Sequence, residues 1–183
     1  MEITGVEDDK KAKRAGMEQL ANELSKPFAP FDIEWRISQA GAKNGKCWAR
    51  VLAYVTNRAI MQRLDTVCGI DNWKNEFVEL DGAFMCGLSV RLHGEWITKW
   101  DGAQKTNIEA TKGGISGSMK RAAVQWGIGR YLYGLEEAFA EVTESGRFRQ
   151  SAKTKGEQWQ QYPAFRWNPP QLPDWALPKG APS

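Results

Sequence analysis

Lys112-Gly-Gly-Ile-Ser-Gly-Ser-Met-Lys-Arg-Ala-Ala-Val-Gln-Trp-Gly-Ile-Gly-Arg-Tyr-Leu-Tyr-Gly134 is the stretch from which this chain is read. It carries Lys112, Lys120, Arg121 and Arg130 and no acidic residue; Glu109 and Glu136 flank it from outside. The spacing predicts a helix from Ser116 to Trp126, with Ser116 or Ser118 as N-cap and Gly127 as the stop. Ile115, Met119, Ala122, Ala123 and Trp126 fall on one helical face. Lys120, Arg121 and Gln125 fall off it. One helix therefore offers an apolar side to a core and a cationic side to something else. A solvated surface helix is the ordinary alternative. Against it stand the uniform sign of the charge and the missing carboxylates that usually pair along a helix.

Upstream the pattern is β-rich. Phe31 to Gln39 alternates apolar and polar residues, as a half-buried strand does. Gly41-Ala-Lys-Asn-Gly45 is a turn region, and Lys46 to Tyr54 a second strand, so a hairpin is expected. Thr56 or Asn57 caps a helix to Cys68, with Ile60, Leu64, Val67 and Cys68 as its apolar face and Gly69 as its stop. Trp73–Leu80, Ala83–Leu92 and Glu95–Trp100 read as three strands joined by Asp81-Gly82 and His93-Gly94 turns. After Gly127-Ile-Gly129, the residues Tyr131 to Leu135 continue as a short turn or helix.

The two ends differ in composition. Residues 1–26 are polar and charge-mixed, with a short amphipathic helix expected from Ala15 to Leu24 and ended by Pro27 and Pro30. Ser145 to Lys155 is polar and basic and reads as a flexible linker. Beyond it, Tyr162-Pro-Ala-Phe-Arg-Trp-Asn-Pro-Pro-Gln-Leu-Pro-Asp-Trp175 reads as an extended, polyproline-like tail. Trp159, Phe165, Trp167 and Trp175 would be a liability in water, so the tail should dock on its own domain, on a neighbouring subunit or on another protein. The expected fold class is α+β: the hairpin and the three-stranded antiparallel meander form one sheet packed on the long basic helix. The expected divisions are 1–26, 27–142 and 143–183.

The length of 183 residues suits one domain with tails or two small ones. A net charge of +3 permits a polyanion partner without requiring one. No run spans a bilayer, and no signal-peptide core stands near the N-terminus. Cys47, Cys68 and Cys86 lack metal-type spacing and read as buried thiols in a reducing cytosol. With one histidine, His93 in a turn, no zinc site is expected. Nine tryptophans suggest a Trp-rich core or aromatic anchors at subunit contacts.

In order along the chain, a hairpin strand with Arg36, then Lys46-Cys-Trp-Ala-Arg50, the helix before Gly69-Ile-Asp-Asn-Trp73, the meander and Met119-Lys-Arg-Ala122 leading to Gly127 resemble the Rad52/Rad22 family of single-strand annealing proteins. The likeness covers roughly residues 20 to 140 and is nearest to the shorter bacterial and phage members. It implies annealing without ATP, in homologous recombination and double-strand break repair, by an oligomeric ring that holds single-stranded DNA by its backbone with bases outward. It implies DNA contacts at Arg36, Lys120 and Arg121, with Lys112 earlier on the helix. It also implies a cytoplasmic setting, nucleoid-associated or in a phage-infected bacterial cell. A single-stranded-DNA-binding protein or another recombination protein would be a further partner. The chain departs from the family pattern at Val124, where another basic residue is usual, and at Gly113-Gly114, which interrupts a usually continuous helix.

The chemistry of the residues agrees with that likeness. Three cations gathered without carboxylates repel one another, and a phosphodiester backbone relieves them. Binding then releases counterions and weakens with salt. Such contacts fix position and read no sequence, which leaves bases free to pair. Arg50 and Arg58 are candidates for a second, outer groove, and Arg130 extends the basic stretch. The alternatives are a partnered strand-face Arg36, beside Glu34 or Asp32, and a solvated helix face. An enzyme reading would string Glu95, Asp101, Glu109 and Lys112 into a metal-dependent nuclease. No phosphate loop supports an ATPase, and no cofactor is expected. A non-catalytic adaptor that recruits a partner through the Trp/Pro tail is the third reading.

Overall fold

A computed structural model describes residues 3–104, 110–135 and 138–180. The helices are α1 (Ile3–Ser25), α2 (Asn57–Cys68) and α3 (Ala110–Gln125). The longer strands are β1 (Ile33–Lys43), β2 (Lys46–Val55), β3 (Trp73–Leu80), β4 (Ala83–Leu92) and β5 (Glu95–Gln104). Short strands follow: β6 (Ala138–Phe139), β7 (Glu141–Val142), β8 (Phe148–Gln150) and β9 (Phe165–Asn168). The chain divides into two compact units: Met1–Phe28 with Val55–Tyr131, and Ala29–Tyr54 with Leu132–Ser183.

In the first unit the meander β3-β4-β5 is the frame. Its turns need left-handed backbone, and Asp81-Gly82 and His93-Gly94 supply it with φ of 48°, 78°, 51° and 88°. Opposite residues share a face, so the register Phe77↔Cys86↔Asp101 and Asn75↔Leu88↔Lys99 sets one side of the sheet against α3. Phe84, Cys86, Leu88 and Val90 are buried there, opposite Met119, Ala122, Ala123 and Trp126 of the helix. The Trp126 indole N–H donates to the Leu88 carbonyl at 3.0 Å. The apolar face read from the sequence is thus the buried one.

α3 begins earlier than Ser116. It runs unbroken through Gly113-Gly114, and Ser118 is a buried residue that donates to the Ile115 carbonyl at 3.0 Å rather than a cap. Packing explains the glycines: a Cβ on Gly114 would collide with the Phe84 ring, and one on Gly117 would press on Ala103 Cβ at 3.0 Å. Gly113-Gly114 therefore does not interrupt the helix; at Gly114 the absent Cβ lets it close on β4. At the far end Gly127, with φ 91°, closes the helix. Its N–H donates to the Val124 carbonyl and that of Ile128 to the Ala123 carbonyl, a Schellman arrangement.

Thr56 Oγ1 accepts from the Ala59 N–H at 3.2 Å and starts α2, and Gly69 ends it with φ 88°. Arg63 on α2 then does what no motif announced. It donates to the carbonyls of Glu23, Leu24, Lys26 and Pro27 at 2.7–3.3 Å and lies over the Phe28 ring at 4.1 Å. These are carbonyls at and just beyond the end of α1, where a helix leaves acceptors unmet. α1 reaches back to Ile3, well before Ala15. The charged segment expected to be solvated is helical, with a Lys13–Asp9 pair one turn apart at 2.8 Å.

In the second unit β1 and β2 form the hairpin around Asn44-Gly45, with φ of 52° and 74°. The hairpin and the meander do not form one sheet. The sheet orders are β1-β2-β6, β3-β4-β5 and β7-β9-β8. β6 takes the edge of β2, and the helix α2 stands between β2 and β3 in the chain, with the hairpin and the meander in different units.

The C-terminal region also differs from expectation. The stretch read as a flexible linker contains β8, and the stretch read as extended contains β9, which pairs with both β7 and β8. Phe165 and Trp167, two residues apart, face the same way and are buried with Ala49 and Val51 of the hairpin. The Trp167 ring stacks on Phe148 with centroids 4.8 Å apart. Prolines stand on both sides of β9 but not inside it, so they bound the strand instead of forbidding it.

Candidate nucleic-acid interface

The helix α3 holds three of the sequence-predicted cations. Lys112 is exposed in its first turn, Lys120 is half-buried and Arg121 is exposed. Their stems rise from a helix whose opposite face is fixed on β4, so side-chain position here is set by the sheet. Successive residues stand about 100° apart around the axis, so Arg121, which faces β5, and Lys120 leave the helix in different directions. On β5 Arg121 finds a carboxylate: its Nε lies 2.9 Å from Asp101 Oδ1. The sequence-based picture of a helix without acidic partners needs that correction. Asp101 stands twenty residues before Arg121 in sequence but directly beside it in the fold.

Arg130 follows the helix and is exposed, yet it has structural work. Its Nε donates to the Val124 carbonyl and its guanidinium to the Gln125 carbonyl, both at 2.9 Å. Lys99 on β5 donates to the same Gln125 carbonyl at 2.9 Å and lies 4.4 Å from the Trp126 ring centre. Burial lowers the Lys99 pKa below the usual lysine value, and the nearby Arg130 charge lowers it further. Cations at a helix C-terminus meet its unpaired carbonyls and its negative end. Lys99 was not among the sequence candidates; its signal is its place opposite Leu88 in the register.

The hairpin carries the other two candidates. Arg36 on β1 and Arg50 on β2 are exposed on the outward face, while Ala49 and Val51 turn inward. Glu34 does not pair with Arg36; its carboxylate accepts from the Tyr54 hydroxyl at 2.7 Å. Burial first, then that carboxylate, push the Tyr54 phenol up to about 12, with the Arg36 charge pulling the other way. Arg50 lies over the Phe139 ring, 5.5 Å from its centre. Arg58 is exposed near the start of α2. The structure thus brings Lys112, Lys120 and Arg121 onto one helix and Arg36 and Arg50 onto one hairpin face.

The nuclease reading named Glu95, Asp101, Glu109 and Lys112. Asp101 is engaged by Arg121 and by its neighbour's Gly102 N–H at 2.7 Å, and Glu109 lies outside the described residues. Among the described residues no group of three or more His, Cys, Asp or Glu side chains could hold a metal ion. No described helix is long and apolar enough to cross a membrane. Of the three cysteines expected to be buried, Cys47 and Cys68 are only half-buried; Cys86 is buried, and burial raises its thiol pKa to about 11.

Comparison with known proteins decides the family. Residues 16–150 match the model of the Rad52/22 family double-strand break repair protein. The chain belongs to the Rad52/22 family. The match contains the hairpin, the meander, α2 and α3. A protein of Deinococcus radiodurans described as single-stranded DNA-binding protein DdrA is 32% identical over 164 residues, covering 88% of this chain and 69% of that protein. Its namesake in Deinococcus deserti is 27% identical over 164 residues, covering 88% and 72%.

Proposed function

We propose that this Rad52/22 family member binds single-stranded DNA by its phosphate backbone and anneals complementary strands in recombination and double-strand break repair. It acts without nucleotide hydrolysis, as an oligomeric ring, and is not itself an enzyme. The observation that carries this is the family match over residues 16–150, joined by likeness to two proteins named for binding single-stranded DNA. The proposed DNA-binding part is residues 27–142, which lies wholly inside the match. Its working residues are Arg36, Lys112, Lys120 and Arg121, with Arg50 and Arg130 extending the basic surface. A cytoplasmic setting goes with this reading.

The geometry supports the chemistry. In one unit the cations stand on a helix clamped to a sheet, and in the other on a hairpin face backed by Phe165 and Trp167, so each set is carried by a fixed element. Phosphate contacts of this kind hold a strand without reading it. Sites repeated around a ring raise affinity by effective concentration.

The test is an annealing assay with two complementary labelled oligonucleotides, free of nucleotide and with chelator present. The protein accelerates duplex formation under those conditions, and its mass in solution is a multiple of 20.6 kDa. Annealing no faster than the spontaneous rate would overturn the reading.

A further inference from the structure

Phe139 has no part in the cationic reading, yet it stands beside it. It sits on β6, whose register with β2 is Arg50↔Phe139 and Val51↔Ala138. Residues directly opposite in an antiparallel pair project to the same face, so Phe139 shares the outward face of Arg50. Its side chain is 60% exposed. It is nevertheless fixed. The Ala140 N–H donates to the Ala49 carbonyl at 2.9 Å and pins the strand. Trp48, two residues before Arg50 and therefore on the same face, meets the ring edge-on with centroids 6.3 Å apart and planes at 68°. The Arg50 guanidinium lies over the ring at 5.5 Å. Arg36 emerges on that face of the neighbouring strand.

An aromatic ring held in place by its neighbours but left in water, with Arg50 over it and Arg36 on the outer strand of the same sheet, matches one ligand chemistry well. A nucleobase offers a π-face for the ring, and its phosphates offer anions for the arginines. We propose that Phe139, positioned by Trp48 and Arg50, is a stacking platform for one unpaired base of the bound strand. This rests on the strand-binding reading above and adds a base contact to it. Stacking uses the face of the base and leaves its pairing edge open, so it is compatible with annealing. It is also tolerant of sequence, because every base has a π-face.

The experiment compares the full-length protein with Phe139→Ala and Phe139→Trp. Each is titrated with a single-stranded oligonucleotide and with one of equal length built of abasic nucleotides. Phe139→Ala weakens binding to the intact strand about tenfold, within the range of one base–aromatic stack. It leaves the abasic strand, the salt dependence and the solution mass unchanged, and Phe139→Trp retains wild-type binding. Equal affinity of Phe139→Ala for the intact strand overturns the proposal, as do equal losses on both strands. A changed solution mass overturns it too, because the face would then be a subunit contact. If the unmodified protein binds both strands equally, stacking fails while phosphate binding stands. If it binds neither, the strand-binding reading falls as well.

Discussion

Arg121 of α3 and Asp101 of β5 form an ion pair, with Nε 2.9 Å from Oδ1. Both side chains keep contact with water, at 53% and 24% relative exposure, so the pair contributes at most about 1 kcal/mol to stability. Its weight falls on function. A carboxylate beside a proposed phosphate contact opposes the phosphate. Asp101→Asn keeps an oxygen for the Gly102 N–H and removes the charge. It therefore binds single-stranded DNA a few-fold more tightly at low salt, and the gain fades as salt screens the charge. Weaker binding by Asp101→Asn would show that Arg121 is a structural residue only.

Arg63 joins α2 to the end of α1 through four carbonyls. Arg63→Ala leaves those acceptors without their cationic donor and uncovers the Phe28 ring. A hydrogen bond from a charged group contributes about 1.5–3 kcal/mol, so denaturant unfolding should show a loss of about 2 kcal/mol. A variant as stable as wild type would mean that water replaces the guanidinium without cost.

Gly114 is where α3 closes on β4. Gly114→Ala improves helix propensity by about 1 kcal/mol, but the new Cβ meets the Phe84 ring. Overpacking of a fitted core costs about 1–3 kcal/mol, so the net effect is destabilising. The paired variant Gly114→Ala with Phe84→Leu recovers part of the loss. Thermal unfolding checks both, and a stabilised Gly114→Ala would refute the close-approach account.

Tyr54 makes a pH-dependent contribution. Its phenol has a folded pKa of about 12 against an ordinary 10, through burial and the bond to Glu34. The fold favours the neutral form, so the contribution is whole below pH 10 and is lost as pH rises toward 12. Tyr54→Phe removes that dependence. Stability of both proteins between pH 9 and 12 should converge as pH rises.

Much of this fold was legible because local chemistry and tertiary structure agree. Asn44-Gly45, Asp81-Gly82 and His93-Gly94 each demand left-handed backbone, and each is a hairpin turn. Thr56 and Gly69 bound α2 where their chemistry says they should. What escaped was set by distant partners. Gly113-Gly114 reads as a helix breaker until Phe84 is seen against Gly114. The proline-rich tail reads as extended until Phe165 and Trp167 find Ala49 and Val51. Of the candidate site, Arg36 and Arg50 stand on an exposed hairpin face as alternation implied. The partner of Arg121 was hidden, because sequence periodicity shows neighbours along a helix and not the strand it lies upon.

Arg36 of the hairpin and Lys120 of α3 are each proposed to contact phosphates of single-stranded DNA. The most direct measurement is the salt dependence of single-stranded DNA affinity for wild type, Arg36→Ala, Lys120→Ala and the double variant. Each lost phosphate contact lowers the slope of log affinity against log salt by about 0.7. Both single variants should therefore bind more weakly with a shallower slope, and the double variant should show the sum, with fold and solution mass unchanged. Wild-type affinity and slope in both single variants would contradict the account.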